Sequence, residues 1–204
     1  MDAASSQLSD NFHGTKRRIL NVARRLFSDF GYLGVSMSDI AGRLGITKAA
    51  LYYHFSGKSD IYLNVLDDVL SDLRARLGVE QAGETLDEQL HRMVKGYLEF
   101  GMREKNLINA LVVRLPPAET ELRRFVASSK EELVSLLGPV VERAVGQGRL
   151  PDGTDSRLVA TMLAAMMDGL VLGHSFLGRP LNPDTVSGQI VALLGLGGGS
   201  SRCL

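Results

Sequence analysis

The sequence predicts an all-α protein of about nine helices. Three observations carry that reading. Apolar residues recur at i, i+3, i+4 and i+7 through most of the 204 residues, and no sustained alternation marks a strand. Two capping-box pairs, Ser36 with Asp39 and Thr85 with Glu88, each stand at the head of such a run. Gly31, Gly45, Pro116-Pro117, the stretch Gly148 to Gly153, and Pro180 with Pro183 punctuate the runs.

Taken in order, residues 1–12 are rich in Ser, Asp, Gln and Asn without period and read as a flexible arm. A first helix starts after Thr15, its expected N-cap, and ends before Gly31. Ile19, Val22, Ala23, Leu26, Phe27 and Phe30 share its apolar face, with Arg17, Arg18, Arg24 and Arg25 off it. The Ser36–Asp39 box opens a short second helix with Ile40, Ala41 and Leu44 inward, stopped by Gly45. Thr47 caps a third, Lys48 to about Tyr53, so two short helices meet at a glycine-containing turn in a helix-turn-helix pattern. After Ser56-Gly57 a fourth helix stacks Ile61, Val65, Val69, Leu73 and Leu77, flanked by Tyr62, Leu66 and Leu70.

The Thr85–Glu88 box opens a helix to about Lys105, and Asn106 to Leu115 is a shorter one ended by Pro116-Pro117. Glu119 to Gln147 forms a long helix in which Pro139 is expected to cause a kink. Beyond the Gly148–Gly153 turn, Asp155 to Leu177 is a long apolar helix and a last one runs from Pro183 to about Leu194. The expected organisation is an arm (1–12), a helix-turn-helix head (13–58), a helical body (59–194) and a flexible tail (195–204).

Charge divides the same way. The formal net charge is zero, yet Lys16, Arg17, Arg18, Arg24, Arg25, Arg43, Lys48 and Lys58 face only Asp29 and Asp39 between residues 11 and 58, a local +6. Residues 65–204 carry a mild acidic excess, so the head is the part suited to a polyanion. A hydrophobic content of 45% is enough for a sizeable core and excludes global disorder. The lone Cys203 excludes an internal disulfide and a Cys-rich zinc site.

The N-terminus places acid and serine where a signal peptide needs a basic stretch and an apolar run. Asp168, Gly169, Gly173 and His174 interrupt the apolar zone 158–177, which argues against a membrane span, so the expected location is the cytoplasm. The four histidines lack metal-ligand spacing, and no G-x-S-x-G, phosphate-loop or dinucleotide pattern occurs. No metal, cofactor or enzymatic activity is expected.

Between Ser36 and Lys58 the polar residues fall where a DNA-docking helix-turn-helix needs them. Thr47 brings a hydroxyl and free N–H groups to a helix N-terminus, an anion-binding position. Lys48 sits in the first turn, where the dipole disfavours a cation unless an anion is near. Ala49 and Ala50 allow close backbone approach to a groove, while Leu51 and Phe55 at i, i+4 face inward. Tyr52, Tyr53 and His54 are left outward or sideways, and Lys58 begins the fourth helix. Singly, each has a plainer reading as a rim tyrosine, a solvated histidine or a surface lysine. Their joint presence in a +6 segment favours DNA.

The run from Thr15 to Leu66, with G-Y-x-G-V-S-M-S-D-I-A at 31–41, G-I-T-K-A-A-L-Y-Y-H-F at 45–55 and K-S-D at 58–60, resembles the TetR family of bacterial transcriptional regulators. The resemblance implies a homodimer whose heads bind a palindromic double-stranded operator and whose body binds a small effector. Carried over by position, it implies DNA contacts from Ser36, Thr47, Lys48, Ala49, Tyr52, Tyr53, His54 and Lys58. Ala49 departs from the glycine frequent in the family at that place.

In the body, Met93, Tyr97, Phe100, Leu111, Phe125, Met166 and His174 are candidate effector contacts, Met93, Tyr97 and Phe100 by shared helix face. A Met/aromatic stripe is also what an ordinary core shows. The methionines Met162, Met166 and Met167 favour an apolar ligand. Helices 155–177 and 183–194 could be buried in the body or form a four-helix seam with a second copy, and the family resemblance points to the seam. The leading expectation is a repressor released from DNA by its effector. A DNA-binding adaptor governed by a protein partner is the alternative, and an enzyme a distant third.

Overall fold

The computed structural model describes residues 3–79, 81–107 and 119–194, with side chains described from Gly14 onward. Eight helices have defined bounds: α1 Ala3–Phe30, α2 Met37–Leu44, α3 Lys48–His54, α4 Lys58–Gly78, α5 Leu86–Arg103, α6 Thr120–Gly146, α7 Ser156–Leu177 and α8 Pro183–Leu193. A further helical turn covers residues 105–107, and no strand occurs among the described residues. The rest of the helix expected to Leu115, including Leu111 and the Pro116-Pro117 stop, lies outside the described residues, as does the tail 195–204.

Two expectations at helix ends are corrected. α1 begins at Ala3, so Thr15 is inside the helix and is not its N-cap, and residues 3–12 are helical where a flexible arm was expected. Once the apolar face from Ile19 to Phe27 has nucleated a helix, adding residues to its polar end costs little. α6 runs unbroken through Pro139, which forfeits one backbone bond, to the Ser135 carbonyl, within a 27-residue helix.

The chain forms two compact units, residues 1–69 with 106–125 and residues 70–105 with 126–204. α4 and α6 each begin in the first and continue into the second. The first half of α4 supplies Ile61, Tyr62, Val65 and Leu66 to the core of the first unit. There Phe27, Tyr32 and Tyr62 form an aromatic cluster, with Tyr62 4.9 Å from Phe27 edge-on and 4.7 Å from Tyr32. Such pairs add about 0.5–1.5 kcal/mol beyond burial. Both hydroxyls find acceptors: Tyr62 donates to the Leu107 carbonyl, and Tyr32 to Glu119 Oε1 at 2.7 Å. Burial pushes both phenols well above their ordinary value, so they remain donors.

In the second unit α5 is the central element, burying Leu90, Met93, Val94, Leu98 and Phe100. Gly101 lets α7 approach closely, since a Cβ there would stand 2.5 Å from a Val171 methyl. α8 is tied to α5 by Asp184, which accepts from Lys95 Nζ at 2.6 Å, and by Ser187 Oγ, 3.1 Å from His91 Nδ1. Tyr97 donates to Asp168 Oδ1 at 2.5 Å, and Lys130 reaches Asp168 Oδ2 at 2.8 Å, joining α5, α6 and α7.

By length and composition α7 could cross a membrane. Its Asp168 carboxylate is bonded by a phenol and a lysine from two neighbouring helices.

Candidate nucleic-acid interface

The interface is built on two short helices whose ends are chemically fixed. Ser36 Oγ accepts from the Asp39 N–H at 3.2 Å, and Asp39 Oδ2 accepts from the Ser36 N–H at 2.8 Å and its hydroxyl at 2.7 Å. These bonds, the side-chain one first, hold the Asp39 carboxyl below its ordinary value. At the other end of α2, Gly45 takes φ +68°, a left-handed conformation that glycine adopts without a Cβ penalty. The chain then turns directly into α3.

Thr47 Oγ1 accepts from the Ala50 N–H at 3.1 Å, which satisfies one amide of the first turn and leaves the hydroxyl proton to donate outward. The helix is then sorted by burial. Leu51 and Phe55 are 0% and 2% exposed, whereas Tyr52 and Tyr53 are 54% and 76% exposed. Thr47, Lys48, Ala49 and Ala50 are exposed as well. A 3.6-residue period with two anchored positions dictates this split, and it presents a hydroxyl, an ammonium, two methyls and two phenols on one side.

The other expected contacts are placed differently. Ser36 is exposed but spends its hydroxyl on Asp39. His54 is half-buried, with its ring edge-on to Tyr53 at 5.2 Å. Lys58 is turned inward: its Nζ donates to the Tyr32 carbonyl at 2.9 Å and lies 4.2 Å from the Tyr32 ring centre. Burial lowers the pKa of this ammonium, and the Glu119 charge offsets part of the fall. Sequence reasoning missed Tyr32 and Glu119, because residues 87 apart carry no periodic signal of contact.

Of the expected effector residues, Met93 and Phe100 are buried on α5, and Tyr97 beside them is engaged with Asp168. Burial first, then the Asp168 charge and hydrogen bond, push the Tyr97 phenol up. The cavity beside Phe100, lined also by Leu73, Arg76, Gly96, Glu99 and Arg103, is about 50 Å³, room for a water or two. Phe125 belongs to the other unit, on an open groove with Leu63, Asn64 and Arg124. Met166 is exposed on α7. His174 Nδ1 is 2.9 Å from the Arg179 carbonyl, an arrangement at its own helix end. Leu111 lies outside the described residues.

Residues 19–65 match the family described as bacterial regulatory proteins, tetR family, and residues 86–194 match the BetI-type transcriptional repressor C-terminal family. The Tn10 TetC protein of Escherichia coli is 40% identical over 142 residues, covering 69% of this chain and 71% of that one. FadR of Bacillus subtilis, solved in complex with stearoyl-CoA, superposes with a TM-score of 0.74 at 20% identity over 90% of this chain and 99% of FadR. AibR, solved with isovaleryl coenzyme A and operator DNA, gives a TM-score of 0.63 at 25% identity over 89% of this chain and 98% of AibR. A capped α2–α3 pair with an outward polar face, carried on a helical chain that both family matches cover, has one reading. The chain belongs to the TetR family of DNA-binding transcriptional regulators, a family of non-enzymes, and joins its helix-turn-helix to a BetI-type C-terminal region.

Proposed function

We propose that the protein is a homodimeric repressor that binds a pseudo-palindromic operator through two copies of α3 and leaves it on binding an apolar effector, acting in the cytoplasm. The observation that carries the DNA half is the sorting of α3, with Leu51 and Phe55 inward and Thr47, Lys48, Ala49, Tyr52 and Tyr53 outward on a basic head. Thr47 and Lys48 suit phosphate, and the alanines permit entry into a major groove. The C-terminal match to a repressor family supports repression.

The dimer reading rests on α7 and α8. Leu158, Met162 and Met166 form an i, i+4, i+8 stripe that is 39–61% exposed, continued by Phe176 and by Leu193. An apolar stripe of that length beside small residues is suited to a second copy of itself.

For the effector, acyl-coenzyme A thioesters are the first class to test, since AibR was solved with one and an apolar chain suits the methionines of the body. One candidate place for such a chain is the small cavity beside Phe100, which would enlarge on separation of α4 from α5.

The test begins with selection of bound fragments from genomic DNA, followed by titration of an acyl-CoA chain-length series into free and operator-bound protein. Effector must weaken operator binding by the same factor that operator weakens effector binding. Equal effector affinity in the two states would show a constitutive DNA-binding adaptor instead.

A further inference from the structure

Lys58 begins α4 and is the one expected DNA contact that the structure turns into the head. Its ammonium rests on Tyr32 from two directions, the carbonyl at 2.9 Å and the ring face at 4.2 Å. Tyr32 is itself fixed. It is 2% exposed, packed against Tyr62, and its hydroxyl is held by Glu119 Oε1 at 2.7 Å. Glu119 immediately precedes α6, the helix that continues into the second unit. A cation, an aromatic residue and a carboxylate thus connect the start of α4 to the start of α6 inside one compact unit.

Two forces act on Lys58 there. Partial burial disfavours its charged form, and the Glu119 carboxylate favours it. An ammonium whose desolvation is offset by a single carboxylate is one that a nearby phosphate can take, because phosphate supplies the same charge without the burial. Nothing covalent holds it: the Lys58 stem has four rotatable methylenes and leaves its docked position by rotation alone.

Resting on the DNA-binding reading, we infer that Glu119 competes with the DNA backbone for Lys58, so that the position of the first turn of α6 sets whether this lysine is docked on Tyr32 or delivered to phosphate. Glu119 and Tyr32 are then positioning residues for a DNA contact that neither makes. A movement of α6 that carries Glu119 away frees one cation per head. A movement that presses it closer withdraws one. This gives α6 a route to the interface that does not require α3 itself to shift.

The experiment measures binding of the full-length protein to a labelled mixed-sequence duplex, by fluorescence anisotropy, between about 50 and 200 mM salt. Four proteins form a cycle: the wild type, Glu119→Gln, Lys58→Ala and the double variant. Glu119→Gln should tighten binding several-fold at low salt and steepen the log–log salt dependence by about 0.9 for each lysine delivered. In the Lys58→Ala background the same change should do nothing. Glu121→Gln, which removes an exposed charge two residues away, controls for general loss of negative potential and should leave the slope unchanged.

The inference is overturned if Glu119→Gln has no effect, if its effect survives in Lys58→Ala, or if Glu121→Gln reproduces it. Lys48→Ala tests the DNA-binding reading separately. It should lower the slope whatever Glu119 does, and wild-type protein that ignores salt would end that reading without reference to Lys58.

Discussion

At Asp39 one carboxylate accepts from both the backbone N–H and the hydroxyl of Ser36, and these bonds lower its pKa below the ordinary 3.8. Because the folded value lies below the unfolded one, the cap contributes fully above the ordinary carboxylate range and is lost as pH falls through the lowered value. The difference in Tm between wild type and Asp39→Ala should therefore be greatest near neutral pH and shrink on acidification. A difference that stays constant to low pH would assign the effect to packing. The same scale explains why Lys58 is docked on Tyr32. A lysine at a helix start faces unpaired N–H groups that repel it, so it turns to the nearest carbonyl and ring, both provided by Tyr32.

Between elements, α5 and α7 approach closely at Gly101. Added to Gly101, a Cβ would meet both Val171 methyls, at 2.5 and 2.8 Å, and Val171 is β-branched and 6% exposed, so it has few rotamers to escape into. Gly101→Ala should destabilise the protein: overpacking costs about 1–3 kcal/mol, against a helix-propensity gain of about 1 kcal/mol. Adding Val171→Ala should recover part of the loss, which denaturant unfolding of the two variants would measure. If Gly101→Ala alone were stabilising, the α5–α7 contact would not be tight. Further bonds join helices of this unit at Asp168, to Tyr97 and Lys130, and at Asp184, to Lys95 and His91. None follows from local periodicity, since Tyr97 and Asp168 are 71 residues apart.

For the whole molecule, the exposed stripe of Leu158, Met162 and Met166 has a consequence for assembly. Met162 is 61% exposed in the single chain, so Met162→Asp leaves that chain's core untouched and places a charge only where a second copy would pack. Sedimentation should report twice the chain mass for the wild type and a monomer for Met162→Asp, with helical content by circular dichroism unchanged. Two-fold operator binding should weaken in step, as each head then binds alone and loses the effective concentration supplied by its partner. A Met162→Asp protein that remains dimeric would place the seam elsewhere.

The sequence by itself determined what depends on neighbours along the chain. The helix-turn-helix was legible almost residue by residue, because its caps at Ser36 and Thr47 act over three residues and its turn needs only the left-handed Gly45. The inward positions Leu51 and Phe55 and the α4 ladder from Ile61 to Leu77 follow from the helical period alone. The start of α1 was not legible, since a polar segment without period carries no signal for a helix propagated from its other end. Tertiary structure alone decided where side chains with several possible partners ended. Lys58 and Glu119 both went to Tyr32, Tyr97 went to Asp168, and Met93 and Phe100 went into a packed core while Met166 stayed on an outer face. The physical reason is range. Caps and periods are set within one or two helical turns, whereas a buried hydroxyl or charge takes whichever complementary group the packing brings within about 3 Å.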